Sequence, residues 1–465
     1  MSRYFVFAVV SLSLLLVAIS GTAISVAFPV ITSSFGASLI LAGWVLSIYQ
    51  LVATAAMPLA GKAGDIFGGK LTFMVSLSIF TLGSLLCAIA PNIQFLIVSR
   101  FIQGIGGGSF LPLAAGIVAD EFPRARQQAI GLFTSIFPIG QIIGPNLGGW
   151  MVHAFGWRSI FWFNIPLGAI AFIASAFLLQ SGQREEGHMD LVGASLFTGS
   201  LFAFISGLSE MGSSKDESSW VISGLLLVTS VILIIAFIRH EGKSKNPIID
   251  LQILKEKPFI AANIYNFIYG ACIFGLMSFV PLYAVSVYGM STLESGLILT
   301  PRSVGMMAAS TVTSIFLMRW GYRWPMLIGT ITIVFSLCLL GVESPGINVL
   351  GIQLSSTALL VVIMLLSGIG MGVAAPAANN ACIELMPQRV ATITGVRGMF
   401  RQSGGTISIA VTSLLLENIA DMAHGFALVF FGLAAVMVIT APFVFAMPKG
   451  PWALPLAKAA SNQRR

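Results

Sequence analysis

The residues able to do chemistry fall into two unequal groups. The 17 acidic residues stay away from the middle of the apolar segments, whereas four arginines, Arg100, Arg302, Arg397 and Arg401, lie inside them. An intramembrane arginine is costly unless it faces water, a partner or a ligand, so these four mark a pathway or a site. Arg397 and Arg401 stand one helical turn apart and therefore share a face and repel one another. Arg302 lies about two turns from Glu294. Pairing of these arginines with backbone carbonyls, or with Glu294 and Glu384, is the bland reading. The sharper one is a cavity of positive potential that favours anionic or zwitterionic amphiphiles over cationic dyes. Tyr49, Gln50, Gln141, Asn263, Asn266, Tyr269, Asn379 and Asn380 fall near segment midpoints, and a few polar groups on apolar walls suit a promiscuous pocket. Interhelical hydrogen bonds account for such residues equally well. Asp65, Glu294 and Glu384, at segment ends, are the acids left to handle a proton.

Other chemistries find little support. Cys87, Cys272, Cys338 and Cys382 sit singly in apolar segments with no metal-ligand spacing, and His153, His188, His240 and His424 sit near segment ends. No GxxxxGK[ST] phosphate loop occurs, and no hydrophilic stretch is long enough to fold as a nucleotide-binding domain. An enzyme would need a buried acid, histidine or metal cluster, so none is expected, and neither is a cofactor. A channel suits this chain less well than a carrier.

The elements that hold these residues are membrane helices. The 465 residues are 57% hydrophobic and 9% charged, with mean hydropathy +0.94, against about 25% charged in soluble domains. Fourteen apolar runs reach spanning length, near 5–30, 40–61, 70–90, 94–119, 127–151, 159–180, 190–210, 219–239, 259–288, 293–318, 324–342, 357–384, 390–416 and 424–446. With the N-terminus cytoplasmic, 18 of the 24 lysines and arginines fall in cytoplasmic segments and only Arg158 and Lys215 opposite. That bias predicts an even helix count with both termini cytoplasmic. The net charge of +7 is then topological, faces anionic lipid and implies no nucleic-acid partner.

One stretch occurs twice. A shift of 264 carries Gly104, Gly106, Gly108, Pro112, Pro123, Gly131 and Gly140 onto Gly368, Gly370, Gly372, Pro376, Pro387, Gly395 and Gly404, without a gap. Repeated halves are a signature of transporter folds. The expected organisation is an all-α polytopic membrane protein with two pseudo-symmetric six-helix bundles, residues 1–180 and 258–447. Two inserted helices with a linker occupy 181–257, and a tail follows at 448–465. Gly140, Gly144 and Gly148 recur every fourth residue, with Pro145 and Gly149 beside them, giving a smooth helix face that another backbone can approach. Pro145 removes a donor and bends that helix at Gln141.

Five motifs carry a resemblance to a known family. Gly61-x-x-x-Asp65-x-x-Gly68-x-Lys70 resembles the loop signature of the major facilitator superfamily, and Arg100-x-x-Gln103-Gly104-x-Gly106 is similar to its fourth-helix motif. GQIIGPNLGG at 140–149 looks like its antiporter motif. Trp157-Arg158-x-x-Phe161-x-x-Asn164-x-Pro166 and Arg401-Gln402-x-Gly404-Gly405 resemble helices 6 and 13 of the fourteen-helix drug:proton antiporter branch. The resemblance implies a latch at Gly61, Asp65, Gly68 and Lys70, with Asp65 meeting a helix of the other half. It places Arg100 near the coupling machinery and makes Gly140, Gly144, Pro145, Gly148 and Gly149 a hinge-like interface. Thr22, Ala27 and Pro29 match the branch's first helix, but Ser20 stands where the branch has an acid, and a serine cannot carry a proton as a carboxylate does. In the second half Met318 replaces Asp65's counterpart, so latching is expected to be asymmetric. The expected activity is export of hydrophobic or amphipathic small molecules, multidrug efflux, by alternating access with a proton as coupling ion. The chain is expected as a monomer in the cell membrane; a lipid or glycolipid exporter is the alternative.

Overall fold

The structure is a computed structural model that describes residues 2–122, 129, 133, 136–180, 190–213, 217–244, 257–342, 346–349, 352–385 and 390–450. Helices α1 (Ser2–Phe35), α2 (Leu39–Phe67), α3 (Gly69–Ala88), α4 (Ile93–Glu121), α5 (Ile136–Phe155) and α6 (Ser159–Leu178) pack together as a first set. A pair, α7 (Leu191–Ser213) and α8 (Glu217–Glu241), follows. The second set holds α9 (Lys257–Tyr288), α10 (Thr292–Leu297), α11 (Leu299–Trp320), α12 (Arg323–Gly341), α13 (Ser356–Leu385), α14 (Val390–Asn418), α15 (Met422–Val438) and α16 (Ala441–Ala446). Strands β1 (Gly346–Val349) and β2 (Ile352–Ser355) pair antiparallel between α12 and α13, a hairpin the apolar pattern does not announce. Two sequence-predicted spans are broken for one reason. Pro301 and Pro442 have no N–H for the carbonyls of Leu297 and Val438, where α10 and α15 stop.

Among the described residues eleven helices are long and apolar enough to cross a membrane. Those falling short of that measure include α5, α11 and α14, where glycine, proline, arginine and hydroxyl residues dilute the apolar run. Each nevertheless packs lengthwise on one that qualifies: α5 on α1, α11 on α13 and α14 on α9.

The duplication read from the sequence is legible in the packing. Helix α4 lays Gly104 and Gly108 on α2 at Tyr49 and Ala53, and turns Gly106 to Phe80 of α3. Helix α13 lays Gly368 and Gly372 on α11 at Arg302 and Met306, and turns Gly370 to Ile333 of α12. A Cβ at any of these positions would collide with neighbouring backbone, so glycine is what permits the close approach. Gly140 meets α1 at Ala18 and Leu15, and Gly404 meets α9 at Phe267. The signature GKAGDIFGGK, expected as a loop, is mostly helical: α2 runs to Phe67 and the chain turns at Gly68 alone, with φ 94°. Gly321, its counterpart, also has positive φ, 69°. Beyond these turns Lys70 Nζ donates to Ala176 O at 2.8 Å and Arg323 Nη2 to Met447 O at 2.8 Å. Both cations thus cap carbonyls at helix ends, the favourable pole for positive charge.

Candidate functional site: a seam and a buried arginine cluster

The two helix sets meet at the end of the bundle opposite the N-terminus, here called the far end. Helix α5 supplies one seam. Pro145 cannot donate to the Gln141 carbonyl, and that freed oxygen, at 3.3 Å, shares the Ser303 hydroxyl of α11 with Leu299 O of the same set as Ser303, at 3.2 Å. Thr300 Oγ1 donates to Asn146 Oδ1 at 2.8 Å, and Gly296 of α10 lies against the Pro145 carbonyl. A Cβ on Gly149 would stand 3.1 Å from Thr292 O. The second seam joins α2 to α14: Gly43 packs on Ser413, and Leu39 N donates to Glu417 Oε2 at 2.5 Å. A ring pair, Phe28 of α1 with Phe279 of α9 at 5.3 Å, lies between them. Every hydrogen bond and ring contact described between the two sets lies toward this end. Toward the near end Phe237 and Leu196 of the α7–α8 pair pack with Phe259, Val396 and Met399 of the second set.

Within α5 the glycine face divides its work. Gly140, Gly144 and Gly148 contact α1 of the same set, at Ala18, Thr22 and Ala23, whereas Pro145 and Gly149 face the other set. Ser20 is buried, and its hydroxyl accepts Asn164 Nδ2 at 3.1 Å, so the position where the branch has an acid is a neutral hydrogen bond.

Arg100 is wholly engaged by its own set. Its Nε donates to Val45 O at 3.0 Å and Nη1 to Gln103 Oε1 at 2.6 Å, while the guanidinium stacks 4.1 Å from the Tyr49 ring. Gln103 passes the network on to Ser84 Oγ at 2.8 Å. The result is a clamp joining α2, α3 and α4. Tyr49 Oη and Gln50 Oε1 are buried without a partner.

The second set gathers Arg302, Arg397 and Arg401 around Tyr269. Its hydroxyl donates to Met371 O at 2.8 Å, and Arg302, Arg397 and Arg401 all act on it electrostatically. Arg302 Nη2 reaches Met371 Sδ at 3.0 Å, a weak acceptor, and its Nε is buried without a partner. Arg397 and Arg401 are half-buried with unpartnered Nε atoms. Asn266 uses its amide on Ala262 O at 2.7 Å and leaves Oδ1 free, as Asn379 does. Glu294 is not beside Arg302: it closes a capping box on Ser291, 2.8 Å from that residue's N–H, and is exposed. Asp65 belongs to the last turns of α2 and Glu384 to the last turn of α13; both side chains lie outside the described residues. Among the described residues no group of three or more His, Cys, Asp or Glu could hold a metal.

Two sets of apolar helices meeting at glycine-lined seams, with charged groups inside, are an arrangement suited to a membrane carrier, and comparison with known proteins gives the family. The profile of the Major Facilitator Superfamily matches residues 10–409 and 294–461, and the chain belongs to that superfamily. It is 32% identical over 413 residues to Multidrug resistance protein 3 of Bacillus subtilis (strain 168), covering 88% of this chain and 78% of that protein. It is 30% identical over 404 residues to the Multidrug transporter protein MdtP of the same organism, covering 86% and 73%. Among solved structures it resembles a mutant form of the nucleoside transporter NupG at TM-score 0.67 and 14% identity, covering 96% of this chain and 99% of that one. It also resembles a bacterial homologue of the drug peptide transporters PepT1 and PepT2, at TM-score 0.67 and 15% identity, covering 99% and 100%. These two likenesses concern the fold.

Proposed function

We propose that the chain exports hydrophobic or amphipathic small molecules by alternating access, as a member of the fourteen-helix drug:proton antiporter branch. Both termini are cytoplasmic and all fourteen helical runs cross the membrane, with α10–α11 and α15–α16 each making one broken pass. The far end is then extracellular, and the arrangement described is closed on that side. The observation that carries this reading is the α5 seam. Pro145 frees a carbonyl that the opposite set uses, so a bend in one bundle is tied to a contact with the other. Such a contact can be made and broken as a unit when bundles rock. Names of the relatives support drugs as cargo.

Proton flow drives the cycle without a carboxylate at Ser20, so the coupling acid is one of Asp65, Glu294 or Glu384. The test is transport into inverted vesicles across cationic, neutral and anionic compounds, with a pH gradient imposed and then collapsed. Accumulation that saturates and disappears with the gradient is expected. Flux that does not saturate and runs only down the compound's own gradient would replace the carrier with a pore.

A further inference from the structure

Three positive charges in one half of a membrane protein, Arg302 buried and Arg397 and Arg401 half-buried, require something to neutralise them. Arginine stays protonated in proteins, and an ion removed from water loses several kcal/mol that only partners restore. Arg100 has its partners. Arg302 has one sulfur, Arg401 lies 5.8 Å from the centre of the Phe274 ring, and the groups acting on the three electrostatically are Tyr269, Cys382 and, for Arg397, Arg401. Among the described residues no carboxylate is in that set. The single ion pair among the described residues is His240 with Asp190, at the end of the α7–α8 pair.

The internal duplication shows that the fold itself does not call for these arginines. The shift of 264 that superposes Gly140 on Gly404 carries Phe133 to Arg397 and Phe137 to Arg401. A shift of 253, which carries Gly68 to Gly321, carries Tyr49 to Arg302. Tyr49 and Arg302 occupy equivalent places, since Gly104 packs on the backbone of one and Gly368 on that of the other. Where the first set puts three aromatic rings, the second puts three cations. Phe133 is fully buried in the apolar core of its set, so an uncharged side chain satisfies the packing there.

We infer that Arg302, Arg397 and Arg401, with Tyr269 at their centre, form a subsite for the anionic head group (carboxylate, sulfonate or phosphate ester) of an amphipathic substrate. The inference rests on the export reading and narrows its substrate class. Guanidinium groups bind such oxyanions through charge-assisted hydrogen bonds, and two on one helix face can share a single head group. The half-buried Arg397 and Arg401 receive it, while the buried Arg302 adds a third positive charge.

The test uses the full chain in phosphatidylcholine vesicles and two probes with the same rings. These are 8-anilinonaphthalene-1-sulfonate and N-phenyl-1-naphthylamine, which lacks the sulfonate; binding to empty vesicles is subtracted. The wild type should bind the sulfonate about tenfold to a hundredfold more tightly, the range of one charge-assisted hydrogen bond. The double variant Arg397→Gln/Arg401→Gln should lose that preference while its affinity for the neutral probe stays within about twofold, a control for folding. Arg397→Lys/Arg401→Lys should keep most of it, since charge is retained. Equal wild-type affinity for both probes, or equal weakening of both by the glutamine variants, overturns the subsite. Adding phosphatidylglycerol to the vesicles separates two sources of the head group. Competition assigns the subsite to lipid phosphate, its absence to a free amphiphile, and either result supports it. Gradient-driven export of the neutral probe with no anion preference would overturn the subsite and leave the exporter reading standing. Anion-selective binding with no driven flux of either probe would do the reverse.

Discussion

Replacing Gly296 by alanine tests the α5 seam at its tightest point. The added Cβ would overlap the Pro145 carbonyl oxygen and stand 3.4 Å from Gly149 Cα. Favourable contact between such atoms needs about 3.5 Å, so α10 has to retreat from α5 by roughly 1 Å. Overpacking of this kind costs about 1–3 kcal/mol. The penalty falls on the closed seam and is absent once the bundles part. At about 1.4 kcal/mol per factor of ten, the equilibrium should move toward the far-open arrangement by about fivefold to a hundredfold. Spin labels at Ser34 and Asn418, both exposed at the far end on opposite sets, report the separation by pulsed electron resonance. The variant should gain a longer-distance population. Gly432→Ala, where nothing lies within 4 Å of the added atom, should not. Identical distance distributions in the two variants would refute the argument that this contact holds the seam shut.

Three further outcomes follow from named contacts. Glu417→Gln removes the charge that Leu39 N–H meets at the start of α2, an interaction of about 0.3–1 kcal/mol at a helix N-terminus; the same label pair should show a shift toward open of up to about fivefold. Asp65→Asn should slow turnover and leave substrate binding intact, measured as separate changes in transport rate and Kd; unchanged turnover removes the latch. Burial pushes the Asp190 carboxyl upward, but the Gly193 N–H, His240 and Ser244 outweigh it, and the group sits below the usual carboxylate range. A depressed folded pKa gives stability that is present above the unfolded value, about 3.9, and is lost as pH falls through the folded one. Thermal unfolding between pH 5 and pH 3, chosen as about one unit either side of that value, should therefore show a steeper fall in Tm for the wild type than for Asp190→Asn.

Much of this architecture was legible in residue order because glycine leaves a periodic trace. The 264-residue register of Gly104, Gly106 and Gly108 with their partners gave the duplication, and the structure shows each pair on equivalent neighbours. Pro145 was readable as a bend, but the use made of the freed Gln141 carbonyl was not, because Ser303 is far away in sequence. Similarly, the apolar pattern marks one span at 293–318, whereas Pro301 divides it into α10 and α11. Glu294 looked available to Arg302 from helical spacing alone. Its Ser291 neighbour captures it first, since a capping box satisfies two backbone donors locally. The link between Leu39 and Glu417 leaves no sequence signal at all: an exposed acid near a helix end is commonplace, and only the fold brings it to the start of α2.

Export by alternating access requires the far-end seam to open. A Cβ placed on Gly43 would lie 3.0 Å from that of Ser413, close to the roughly 3.5–4.5 Å that a disulfide spans. With Cys87, Cys272, Cys338 and Cys382 replaced, Gly43→Cys/Ser413→Cys can be oxidised to tie α2 to α14 across the two sets. Transport by the reconstituted double variant should stop on oxidation and return on reduction. Undiminished transport by fully cross-linked protein would contradict the account.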